Sequence, residues 1–166
     1  MGKSKKEKVL TDIQFTKIDM VLKMFKCLLP LYIECKDDEP RCVTFCGLNR
    51  SVIYDITSCS FFKVGLISDG ALKKLERNVE EHLYNRTLSS RVIFSILEKN
   101  PDMTVEDFIK ILKKYGTTIT LTESEHNRLP KDTKGFYEKT YEDYEKIGVN
   151  VLGLRDYMEY LNSIKL

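Results

Sequence analysis

The chain contains no tryptophan, only four prolines and only two histidines among 166 residues. With two imidazoles available, any histidine-based chemistry must run through His82 or His126. No apolar run reaches the ~18 residues that a membrane span requires. The most apolar stretch, Met20 to Ile33, is interrupted by Lys23, Lys26 and Pro30. A dominant charge is also missing. The 27 basic and 25 acidic residues leave a net charge of +2, so no overall basic field advertises a nucleic-acid binder. P-loop, G-x-G-x-x-G and G-x-S-x-G patterns are absent, which removes the Gly-rich phosphate cradles and the nucleophile elbow. The basic N-terminus leads into no apolar run with a small-residue cleavage site. The expectation is a protein of the cytoplasm, in its own cell or a host's, with no membrane partner.

What the chain does contain is ordinary globular material. Hydrophobic residues make up 42% and charged residues 31%, and nine Tyr with eight Phe supply aromatic bulk for one core. Residues 1–8 read as a basic flexible tail, with Lys3, Lys5 and Lys6 able to meet phosphates. Residues 9–166 read as a single α+β domain.

Thr11 or Asp12 can cap a helix whose apolar positions run to Leu29, and Pro30 ends it. Leu31 to Cys35 and Cys42 to Cys46 predict a hairpin around a turn at Lys36–Pro40. Ser51 to Ile56 and Ser60 to Leu66 add further β-rich segments. The first third after the opening helix is thus expected to be β-rich. Ala71 to Tyr84 and Ser89 to Lys99 predict helices. Thr104 and Asp107 form a capping pattern for a third helix through Lys114, with Gly116 as a left-handed stop. Strands are expected at 117–121 and 149–152. Thr122 caps a helical turn carrying His126. Lys134 to Ile147 and Arg155 to Ile164 predict the last two helices.

Each histidine follows a glutamate. His82 lies in Glu80-Glu81-His82-Leu83-Tyr84-Asn85-Arg86, and His126 in Glu123-Ser124-Glu125-His126-Asn127-Arg128. Imidazole is the side chain best suited to take a proton from water near neutral pH. A helix through residue 86 would put Arg86 on the face of His82, where it could meet a phosphate.

The segment from about Glu80 to Leu129 resembles the HNH, or His-Me finger, nucleases. Glu81-His82 stands where that motif carries its first acidic-histidine pair, and a strand running into the helix of His126 stands for its closing half. The resemblance implies a metal-dependent nucleic-acid phosphodiesterase of phage or mobile-element type. His82 would activate water, and a divalent ion (Mg or Mn) would be held by Glu81, His126 and Asn127. Arg86 or Arg128 would hold the nucleic-acid backbone.

Two more groups of residues remain. Five cysteines without a secretion signal predict reduced thiols. Cys35, Cys42, Cys46 and Cys59 fall within 25 residues and could hold a zinc ion. On a flat strand, however, Cys42 and Cys46 would stand roughly 13 Å apart. Cys27 on the first helix is expected in the core. Tyr137, Tyr141 and Tyr144 follow i, i+4, i+7 spacing among Lys134, Lys139 and Lys146. Such a stripe can pack on the core, stack nucleic-acid bases or meet a protein partner. The alternative function is therefore a non-enzymatic accessory or inhibitor protein that binds its partner through the Tyr-rich helix and the basic arm.

Overall fold

The computed structural model describes residues 9–74, 76–130 and 136–164. Thr11 caps α1 (Asp12–Cys35) through a reciprocal box with Gln14. Pro30 lies inside this helix and does not end it. Proline removes one backbone hydrogen bond, but Tyr32 and Cys35 in the turn beyond it are buried, and their packing offsets the loss. Cys27 is exposed on α1 and not in the core.

The expected hairpin is also helical. Asp38 accepts from the Arg41 N–H and Pro40 sits in the first turn, so α2 spans Glu39–Thr57. Its buried residues Cys42, Cys46, Asn49, Ile53 and Ile56 recur at helical spacing. Among the described residues the N-terminal third is therefore helical, with no strand before residue 63.

Three short strands form one sheet in the order β1 (Lys63–Ile67), β3 (Thr118–Thr122), β2 (Asn78–His82). β1 runs parallel to β3, and β2 runs antiparallel to it. The helix expected over Ala71–Tyr84 is replaced by the single turn of α3 (Asp69–Leu72) and by β2. Its charged residues suggested a solvated helix, but β3 supplies the backbone partners and pairs Glu81 with Ile119.

Between β2 and β3 the chain makes α4 (Arg86–Lys99) and α5 (Val105–Tyr115), the latter capped by Thr104 as its sequence predicts. Gly116 follows α5 at φ −97°, not in the left-handed region. Close approach accounts for the glycine: a Cβ there would lie 2.3 Å from Thr57 Cγ2 and 2.7 Å from the Leu112 oxygen. β3 passes directly into α6 (Glu123–Arg128), then α7 (Tyr141–Lys146) and α8 (Leu154–Ser163). The expected strand at 149–152 is reduced to one bridge between Ser68 and Val151.

Two clusters make up the core. Phe25, Tyr32, Phe94 and Phe108 anchor the first, between α1, α2, α4 and α5, with the Phe25 and Phe94 ring centroids 4.7 Å apart. The second packs Leu83, Ile119, Leu121, Tyr144, Leu154 and Leu161 around the sheet. None of the described helices is long and apolar enough to cross a membrane.

Candidate functional site: a buried carboxylate between an imidazole and an ammonium

Successive side chains on a strand point to opposite faces, so Glu81 and His82 of β2 part company. Glu81 turns toward α6. Its position there follows from local rules. The Thr122 side chain accepts from the Glu125 N–H at 3.2 Å, and the Thr122 N–H donates to Glu125 Oε2 at 2.8 Å. This reciprocal box starts α6 at the last residue of β3 and sets His126 one turn in. Ser68 Oγ donates to the same Glu125 oxygen at 2.5 Å, tying α6 to the start of α3.

His126 Nδ1 then lies 2.7 Å from Glu81 Oε2. The other Glu81 oxygen pairs with Lys139 Nζ, which also donates to the His82 carbonyl at 3.2 Å. The carboxylate side chain is 5% exposed, the lysine 13% and the imidazole 45%. A buried charge of this kind persists only when paired, and here two donors share it. The contact directs the Nδ1 hydrogen of a neutral imidazole at Glu81. Nε2 is then the acceptor, on a ring that reaches solvent. The Tyr144 hydroxyl is buried nearby, without a hydrogen-bond partner among the described residues. Burial and the Glu81 charge push its pKa well up.

His82 occupies the other face. Its ring lies 6.1 Å from that of Tyr54 on α2. The Arg86 guanidinium sits 4.8 Å above the same Tyr54 ring. Arg86 opens α4 and so does not share a helix with His82. His82 Nδ1 is buried with no partner among the described residues. Burial, then Arg86 and Lys139, lower its pKa to about 4.

The expected site is thus divided. Glu81 and His126 meet, while His82 and Arg86 lie across the sheet. Asn127 is exposed beside His126 on α6. Arg128 is exposed and donates to the Ile147 carbonyl at 2.8 Å. Lys139 was legible only as a cation among tyrosines. Nothing local marks it as the partner of a carboxylate 58 residues earlier.

Of the residues expected to hold a divalent ion, Glu81 and His126 meet, and the two Glu81 oxygens accept from His126 and Lys139. Among the described residues, no group of three His, Cys, Asp or Glu side chains is placed to hold a metal. Cys42 and Cys46 stand one helical turn apart on α2, not on a strand, with Sγ atoms 4.0 Å apart. Cys35 ends α1 and donates to the Tyr32 carbonyl at 3.4 Å, and Cys59 follows α2. Burial pushes the Cys35 and Cys46 thiols up.

The tyrosine stripe is divided as well. Tyr137 precedes α7 and donates to Asp143 Oδ2 at 2.7 Å. Tyr141 is half-buried under the Arg155 guanidinium at 4.5 Å, and Tyr144 is wholly buried. Lys3, Lys5, Lys6 and Lys134 lie outside the described residues. No protein-family model, curated protein or solved structure matches this chain.

Proposed function

We propose that the protein is a nucleic-acid phosphodiesterase in which His126, held by Glu81, is the proton-transfer group. The observation that carries this reading is the 2.7 Å contact between a half-exposed imidazole and a carboxylate that is 5% exposed. A buried carboxylate fixes the tautomer and stabilises the imidazolium that forms when Nε2 accepts a proton. Nε2 would take that proton from the oxygen attacking phosphorus and return it to the leaving oxygen. Arg128, exposed on the same helix as His126, adds positive charge beside the site, as an anionic substrate demands. The antiparallel β2–β3 pair followed by α6 supports the HNH-like reading, with the base role moved from His82 to His126.

The test incubates plasmid DNA and single-stranded RNA with the protein, with and without added Mg²⁺ or Mn²⁺, beside His126→Ala and His82→Leu. Cleavage lost by about 10²-fold or more in His126→Ala and retained in His82→Leu is the expected result. Equal cleavage by wild type and His126→Ala removes His126 from the mechanism. No cleavage of either substrate by wild type sinks the enzyme reading and leaves the accessory, partner-binding protein in its place.

A further inference from the structure

We propose that the groove between α4, α5 and the chain at Phe136 binds a nucleotide phosphate, free or within a single strand. Arg91 and Lys99 of α4 and Lys114 of α5 line this groove together with Ser95, Tyr115 and Phe136, and among the described residues no acidic one lines it. The cavity is about 550 Å³, within the range of small-molecule sites. Its apolar wall comes from Val92 and Ile96, so the charges face a low-dielectric surface that focuses their field.

Among the described residues none of the three cations has an ion-pair partner. The acid next to Lys99 in sequence, Glu98, is turned away and paired with Lys36 of α1. The Arg91 Cζ sits over the Phe136 ring, 4.3 Å from its centroid. A cation–π contact of this kind holds the side chain in place while N–H groups of the guanidinium can still donate to phosphate. Cations without an ion-pair partner among the described residues, an aromatic surface and a cavity of this size fit a phosphate joined to a flat apolar body. An acidic peptide would meet the same charges but has no use for the aromatic surface.

The groove shares no lining residue with the Glu81–His126–Lys139 cluster. Titration calorimetry on the full chain with AMP, adenosine, a 5′-phosphorylated single-stranded oligonucleotide and an oligoglutamate peptide tests it. AMP or the oligonucleotide should bind, more weakly as salt rises, and adenosine about tenfold more weakly than AMP. Binding of both AMP and the oligonucleotide identifies free nucleotide as sufficient, whereas binding of the oligonucleotide alone identifies the strand as the ligand. Lys99→Gln combined with Lys114→Gln should weaken either by about tenfold or more, with Arg91→Gln as a second probe. Lys23→Gln, remote on α1, should leave binding unchanged. The proposal is overturned if neither phosphate ligand binds, if adenosine equals AMP, if oligoglutamate binds as tightly, or if the double lysine variant binds like wild type.

Discussion

Acid should destabilise this protein through His82. Imidazole ordinarily titrates near 6.5, and burial, with Arg86 and Lys139 adding to it, brings His82 to about 4. The folded state therefore resists a proton that the unfolded chain accepts. The His82 contribution is fully present above pH 6.5 and is lost progressively as pH falls from there to about 4. A gap of about 2.5 pH units at ~1.36 kcal/mol per unit amounts to about 3 kcal/mol. Urea unfolding followed by circular dichroism measures it in wild type and His82→Leu. Carboxylate titration is common to both proteins, so the readout is the difference between their stability–pH curves. Leucine leaves no orphaned nitrogen behind, and its curve should lack the His82 slope. Between about pH 7.5 and about pH 4.5, wild type should lose roughly 2–3 kcal/mol more than the variant. Parallel curves would refute the claim that His82 is held neutral by burial.

Two further predictions concern the buried pair and the thiols. Lys139→Met should cost about 3 kcal/mol or more, because Glu81 loses a donor without regaining water, and Glu81→Leu with Lys139→Met should cost less than the sum of the two single changes. Urea unfolding of the four proteins gives the coupling, and strict additivity would mean that the pair does not act as a unit. Ellman's reagent should react quickly with Cys27 and slowly with Cys42 and Cys46, since the first is exposed and the others buried. Cys27→Ser should remove the fast phase, and a fast phase that survives would place an accessible thiol elsewhere.

Much of the architecture was legible in local pattern. Thr104 and Thr122 each precede an acidic residue at the capping spacing, and each starts its helix. Thr117 to Leu121 reads as β-branched and forms all but the last residue of β3. The errors had physical causes. Val43, Thr44 and Phe45 have β propensity, which outweighed two stronger signals: Asp38 with Pro40 as a helix start, and a buried face at 42, 46, 49, 53 and 56. Pro30 reads as a terminator because its local cost is visible in sequence, whereas the burial of Tyr32 that offsets it is not.

The amino-acid sequence alone determined the mixed helix-and-strand class, the capped starts of α5 and α6, and the presence of exactly two imidazoles, each beside a glutamate. Only tertiary structure decided which face of β2 each member of Glu81-His82 would occupy. It also decided that His126, 45 residues on, and Lys139, 58 residues on, would close around the first and not the second. The reason is that strand alternation separates neighbours in sequence, while the cost of burying a carboxylate selects partners by space and charge, wherever the chain carries them.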